Sequence, residues 1–332
     1  MPKTKTRKPD PKNYPKKDRP DIYAEVTDKI IKALEAGVRP WQKPWQAGGL
    51  GSVSRPLRAN GQPYRGINVF LLWDAANQNG FSSPYWFTFK QASDFGAHVR
   101  KGEKGSTIVK AGKFTKEEAN PDTGKVEEKD IFYMKGYVVF NADQIDGLPE
   151  KYLPKPIDEA TDKPQRLAHA EAFFANTGAK VTYGGERAFY RPSTDEIRVP
   201  DIDRFKDVGA FYATLGHETV HWTGHDSRLA RKFDRFGSND YAAEELVAEL
   251  GAAFLCADLG LELDVRDDHA AYIDNWLEVL KKDKRFIFTA SSAAQKALDF
   301  LHELQPGAKD APASVGEEGE IEPAADGLEQ AA

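Results

Sequence analysis

At 332 residues, with 40% hydrophobic and 11% aromatic side chains, the chain has the material for two ordinary domains with buried cores. Its formal net charge of −6 hides an asymmetry: residues 1–116 carry 22 Lys+Arg against 9 Asp+Glu, and residues 151–332 carry 21 against 34, so the front suits a polyanionic partner. A single cysteine, Cys256 in "ELGAAFLCADLGL", excludes an internal disulfide, no run of about 18 apolar residues offers a transmembrane helix, and the basic N-terminus lacks the apolar core of a secretory signal; a cytoplasmic protein is expected.

Residues 1–20 are basic, proline-rich and nearly free of apolar side chains, which predicts a disordered arm. "DIYAEVTDKIIKALEAG" then reads as an amphipathic helix, with Asp21 as N-cap, Ile22, Val26, Ile30 and Leu34 four apart, and Gly37 as the stop. "INVFLLWDAANQNG" is a second helix. "PYWFTFKQASDFG" and "KGSTIVKAG" read as strand, short helix and strand, and "DIFYMKGYVVFNADQI" as a long strand following the turn "NPDTGK". A proline-rich, charged stretch places a linker at 151–165, between one domain at 21–150 and another at 166–305. The second domain opens with the helix "RLAHAEAFFANTG", the strand "AKVTYGG" and a hairpin turning at Pro192–Asp195. Helices follow at about 205–222, over "DYAAEELVAELGAAFLCADLG", at 268–282 and at 290–304, before an acidic tail at 306–332 that should also be disordered. Strands and helices without a βαβ rhythm predict an α+β fold in two domains, the second mostly helical with a small sheet.

"GHETVHWTGH" holds three of the chain's seven histidines. His217 and His221 lie four apart on a predicted helix, so both imidazoles face the same side and can reach one cation. Glu218 projects about 100° away, suited to a proton-transfer role and not to ligation. This is HExxH, read as two zinc ligands and a general base. The site wants a third ligand and an open fourth position. In the extended pattern HExxHxxGxxH, Gly224 matches the glycine, but Ser227 stands where the histidine should be and the extra histidine is His225. His225 is thus a ligand only if the helix continues through Gly224, and otherwise an outer or substrate-facing residue. The other source is the helix "EELVAEL", where Glu245 and Glu249 share a face and Glu244 points elsewhere, as a solvated surface acid. Its ExxxE spacing resembles the ExxxD helix of the gluzincins, which implies Glu245 as ligand and Glu249 as the carboxylate orienting a ligand histidine. Zn2+ is the expected metal, with another divalent ion such as Mn2+ as the alternative.

The first half concentrates aromatic and basic residues in loops: Trp41 and Trp45; Arg55, Arg58, Tyr64 and Arg65; Trp86 and Lys90; Arg100, Lys101 and Lys104. Aromatic faces stack on unpaired bases and cations follow phosphates, so single-stranded DNA is the expected ligand. A duplex reader would present a basic recognition helix, and the helix at 21–36 is not basic enough. Part of the aromatic set should be core instead: the alternation in "YWFTF" buries one face, and Trp41 and Trp45 are open between stacking and core anchoring.

Taken in order, "WQKPW" (41–45), "YRGINVFLL" (64–72), "YWFTFKQA" (85–92), "GAHVRKGEKG" (96–105) and "VFNADQIDGLP" (139–149) resemble the N-terminal domain of ArdC-type antirestriction proteins of conjugative plasmids, a domain shared with TraC-type primases. "GHETVHWTGHDSRL" (216–229) and "EELVAELGAAFL" (244–255) resemble the zincin-like peptidase domain of the same proteins. The resemblance implies a single-stranded-DNA-binding domain joined to a zinc metallopeptidase of gluzincin type. It also implies a role in protecting incoming DNA from host restriction during conjugation. One reading has both domains active, with DNA localising a protease near an unidentified substrate such as a restriction or DNA-processing protein. The alternative is a non-enzymatic DNA shield or replication accessory whose metal is structural.

Overall fold

The computed structural model describes residues 21–41, 54–119, 126–153, 159–231, 239–261 and 270–308; the two terminal arms and Trp45 lie outside the described residues. The N-terminal half contains α1 (Ile22–Glu35), β1 (Leu57–Arg58), α2 (Ile67–Asn79), β2 (Tyr85–Phe87), α3 (Phe89–Asp94), β3 (His98–Val99), β4 (Ser106–Ala119), β5 (Val126–Asn141) and β6 (Ile145–Asp146). The C-terminal half contains α4 (Glu159–Asn176), β7 (Lys180–Tyr183), β8 (Phe189–Arg191), β9 (Glu196–Val199), α5 (Val208–Thr223), α6 (Asn239–Leu259), α7 (Ala270–Lys282) and α8 (Phe286–Glu303). This is an α+β architecture of two units, as expected.

Local chemistry sets most boundaries. The Asp21 carboxylate accepts the Tyr23 N–H at the start of α1, and the turn after it runs through Gly37 at φ 73°. Thr88 and Gln91 form a reciprocal capping box on α3. β4 and β5 form one antiparallel hairpin from Ser106↔Val139 to Ala119↔Val126, longer than the apolar alternation alone indicated. β5 ends at Asn141, whose side chain accepts the Asp143 N–H and starts a 3-10 turn where the sequence suggested continued strand. The helix bearing the histidines starts at Val208, where Asp207 accepts the Ala210 N–H, three residues later than expected. α8 starts four residues earlier than expected, because Ile287, Ala290, Ser291 and Ala294 already share one buried face.

A four-stranded sheet in the order β1-β2-β5-β4 has β1 parallel to β2 and the other pairs antiparallel. β3 and β6 pair separately, and the C-terminal half has a three-stranded sheet, β7-β9-β8, with β7 parallel and β8 antiparallel to β9. The larger hydrophobic core draws on both halves. Phe70 of α2 stacks on Phe254 of α6, ring centroids 4.8 Å apart, and Trp41 meets Trp276 of α7 edge-on. A smaller core, Phe87, Ala92, Ala97, Ala142, Ile145 and Tyr152, supports α3, β3 and β6.

α5 lies at the centre of the C-terminal half, buried from Phe211 to Thr223. It can approach α6 closely because the facing residue there is Gly251: a Cβ at that position would come within 2.8 Å of Val220 Cγ2 and 2.9 Å of Cγ1. That approach places the α5 histidines against the α6 glutamates.

Candidate metal centre

His217 and His221 project from the same side of α5, as the four-residue spacing predicts, and Glu245 of α6 faces them. The Nε2 atoms of the histidines are 3.1 Å apart. The Glu245 carboxylate lies 3.5 Å from each Nε2, through Oε2 to His217 and Oε1 to His221. Donors bound about 2.0–2.1 Å from one tetrahedral ion are about 3.3–3.4 Å from each other. The Nε2–Nε2 edge lies just below that value, each imidazole has a carboxylate oxygen just above it, and one donor atom from each residue lies within 4.8 Å of the others, so the residues fit a divalent cation between them. All three side chains are buried.

The electrostatics favour the same reading. Two bare Nε2 atoms at 3.1 Å would direct lone pairs at each other, which a shared cation relieves. Without a metal, a proton has to serve. Burial pushes the pKa of His221 down, but its hydrogen bonds to Glu244 and Glu245 and their charges outweigh this and raise it to about 10. Burial drives His217 the other way, to below its ordinary value. Burial would raise Glu245, yet the two imidazoles hold it well below the usual carboxylate range. Glu218 is buried on α5 beside His217, and its charge is felt there.

Behind the three candidate donors stands a second layer of charge. Glu244, expected as a solvated surface acid, is instead buried, with Oε1 3.2 Å from His221 Nδ1. Arg231 donates to both of its oxygens, at 2.9 and 2.8 Å, and to the Val220 carbonyl and Thr223 hydroxyl of α5. The error came from treating α6 as having one buried face; packing between α5, α7 and α8 buries it almost all round, so an acid off the ligand face is still interior. Glu249 has Oε2 3.9 Å from His217 Nδ1. His225 stays out of the cluster. α5 ends at Thr223 with Gly224 as C-cap, so His225 leaves the helix face and its Nδ1 instead accepts the Ser227 N–H at 3.2 Å.

Arg228, which no sequence motif flagged, clasps the β8–β9 hairpin to the segment after α5. It pairs with Asp195, the turn residue at φ 49°, donates to the Tyr190 hydroxyl at 3.3 Å and lies over the Trp222 ring at 4.0 Å. Cys256 is buried, and burial with the charge of Glu249 pushes its thiol up to about 12.

The residues expected to contact nucleic acid divide into two groups. Trp41 is 2% exposed and its indole N–H donates to Glu249 at 3.2 Å. Trp86 is buried on β2, edge-on to Phe81. Tyr64 is buried under Arg58, and burial, partly opposed by the Arg58 charge, raises its hydroxyl to about 12. Arg55 is buried, paired with Asp258 at 2.7 Å and donating to Gln295 at 3.1 Å; Arg65 pairs with Asp299. As contacts for bases or phosphates, Trp41, Trp86, Tyr64 and Arg55 are corrected to core positions and ties between elements, while Arg65 is half-buried in its pair with Asp299: alternation and aromatic density cannot show which loops another element covers. Lys90, Arg100, Lys101 and Lys104 remain exposed, though Arg100 is held by Glu103 and Asp146. Beside them Phe89, of which with Trp86 only one was expected to be exposed, is the exposed one at 62% on α3, and Phe95, which no motif singled out, is 42% exposed just after it.

Comparison with known proteins matches both halves. Residues 20–140 match the N-terminal domain of the anti-restriction factor ArdC, and residues 168–293 match a zincin-like metallopeptidase. The crystal structure of antirestriction protein ArdC from plasmid R388, metal-free, is 50% identical, with a TM-score of 0.72 over 87% of this chain and 98% of that one. Its Mn(II)-bound structure is 48% identical, with a TM-score of 0.69 over 86% and 98%. The uncharacterized protein y4eC of Sinorhizobium fredii is 41% identical over 87% of this chain and 94% of its own length. DNA primase TraC of Escherichia coli is 39% identical over 84% of this chain, which spans 27% of that protein. Among the described residues, no helix is long and apolar enough to cross a membrane.

Proposed function

The chain belongs to the ArdC antirestriction family, and on that premise we propose that it is an antirestriction protein joining single-stranded-DNA binding to metal-dependent peptide hydrolysis. In this reading it protects incoming DNA from restriction during conjugation, and its substrate is a restriction or DNA-processing protein. The observation that carries the hydrolytic half is the clustering of three buried donor groups, His217 Nε2, His221 Nε2 and the Glu245 carboxylate, with one donor atom from each within 4.8 Å of the others.

His217, His221 and Glu245 would hold the metal, Zn2+ by the donor set, with Mn2+ as the alternative because a Mn(II)-bound relative exists. When bound, the ion would supply Lewis acidity toward a scissile carbonyl. Glu218, next to His217 but not among the ligating atoms, takes the proton of the attacking water onto its carboxylate and returns it to the leaving amine. Glu244 keeps the His221 proton on Nδ1 and so leaves Nε2 as the donor.

For DNA, the exposed surface around α3, β3 and the 100–105 turn carries the reading. Phe89 and Phe95 offer faces for bases, while Lys90, Lys101 and Lys104 supply charge for phosphates. The test is Glu218→Ala, assayed for metal content, DNA binding, peptide hydrolysis and plasmid protection. The proposal expects the first two to persist and the last two to be lost. Protection that survives the change would leave a DNA shield with a structural metal.

A further inference from the structure

The carboxylate behind His217 is held by the other half of the chain. Glu249 of α6 presents Oε2 to His217 Nδ1 at 3.9 Å, while its Oε1 accepts the Trp41 indole N–H at 3.2 Å and lies 3.6 Å from Arg39 Nη1. Trp41 and Glu249 are 208 residues apart in sequence. Arg39, Trp41, Glu249 and His217 are all buried, so these contacts operate with little solvent screening.

The Trp41 ring is wedged edge-on between Phe70 and Trp276, with centroids at 6.2 and 5.9 Å. That packing fixes where the indole N–H points. The donor and the Arg39 charge together fix the rotamer of a long, otherwise adaptable glutamate, and turn its second oxygen toward His217. At 3.9 Å the carboxylate is beyond hydrogen-bond length, and it acts through its charge, which favours the tautomer with the proton on Nδ1 and frees Nε2 for the cation. His221 has a closer, hydrogen-bonded counterpart within the C-terminal half, Glu244 at 3.2 Å backed by Arg231.

We infer that Arg39 and Trp41, in the half expected to bind DNA, are positioning residues of the metal centre, acting through Glu249 on His217. The metal site is then built by both halves, and the peptidase unit alone lacks the anchor for one ligand. The inference rests on the metal reading of His217, His221 and Glu245.

A double-mutant cycle on metal affinity tests it in the full-length protein. Wild type, Trp41→Phe, Glu249→Gln and the double variant are titrated with Mn2+ against a competing chelator, and their Co2+ absorption bands are recorded. Trp41→Phe keeps an aromatic ring and removes the N–H. Each single change should weaken Mn2+ binding about tenfold or more and shift the Co2+ band. The double variant should be within about twofold of Glu249→Gln alone, because both changes break one chain of contacts. Unchanged affinity in Trp41→Phe, or effects that multiply in the double variant, overturns the inference, since Trp41 would then be ordinary core. If Trp41→Phe does not fold, Arg39→Gln takes its place in the same cycle, with the same outcomes deciding. Failure of the wild type to bind Mn2+ or Co2+ would instead overturn the metal reading itself, so the two failures are distinguishable.

Discussion

Gly251→Ala puts the packing argument for the metal centre at risk most directly. The added methyl would sit 2.8 and 2.9 Å from the two γ-carbons of Val220, closer than carbon atoms tolerate, and 3.4 Å from its Cβ. Valine in a helix has essentially one χ1 rotamer, so Val220 cannot turn away, and relief has to come from moving α5 and α6 apart. Overpacking of this kind costs about 1–3 kcal/mol, while replacing helical glycine by alanine returns about 1 kcal/mol. The net expectation is a loss of up to about 2 kcal/mol, a melting temperature lower by several degrees. Val220 immediately precedes His221, and Glu245 lies on the helix that would be displaced. Widening the 3.5 Å edges between the imidazoles and Glu245 should therefore weaken Mn2+ binding as well. Thermal melts and chelator-competition titrations of the two proteins check both effects. A variant as stable as wild type, with equal Mn2+ affinity, would refute the claim that helix approach at Gly251 sets the ligand geometry.

Glu244→Gln should weaken metal binding about tenfold to a hundredfold, measured by chelator competition, because it removes the charge behind His221 and leaves Arg231 without its partner carboxylate. The raised His221 pKa predicts a proton cost: metal-free His221 is protonated below about 10, so Mn2+ binding near pH 7 should release about one proton and its affinity should rise about tenfold per pH unit, as read by calorimetry in buffers of different ionisation enthalpy. By the same sign, protonation of His221 stabilises the metal-free fold below its unfolded value near 6.5, and that contribution is lost as pH climbs through about 10. Lys90, Lys101 and Lys104 changed together to Ala should flatten the salt dependence of oligonucleotide binding by about 0.7 in log–log slope per lost phosphate contact, with no change in melting temperature. Arg55→Ala should do the reverse, lowering stability by removing a buried guanidinium and its bonds to half-buried Asp258 and buried Gln295 while leaving the slope intact. Cys256 should resist thiol reagents in the native protein and react once it unfolds.

The parts of the site legible in the sequence were those set by helical spacing. His217 and His221 are four apart and face the same side, and Glu245 and Glu249 share a face toward them, because one-helix geometry is local; that Glu245 is the nearer acid followed from the gluzincin resemblance and not from spacing. The Asp21 cap and the Gly37 stop of α1 were equally local. What escaped the sequence depends on contacts between distant segments. Nothing near Glu244 reveals that Arg231 folds back over α5 to meet it. Nothing near Trp41 reveals that its indole spans 208 residues to Glu249, so the sequence leaves it open between base stacking and core anchoring. Arg55 and Arg65 misled for the same reason: their acidic partners, Asp258 and Asp299, lie in the other half of the chain. Basic loop residues signal a polyanion only when no distant acid claims them, and that is decided by tertiary packing.

The central claim is that His217, His221 and Glu245 hold one divalent metal, and metal content tests it most directly. Purified wild type, His217→Ala, Glu245→Ala and Glu218→Ala would be loaded with Zn2+ or Mn2+, desalted and analysed for metal by mass spectrometry. The account predicts about one ion per chain in wild type and Glu218→Ala, and loss in the other two. Full retention in Glu245→Ala, or no ion in the wild type after loading, would contradict it.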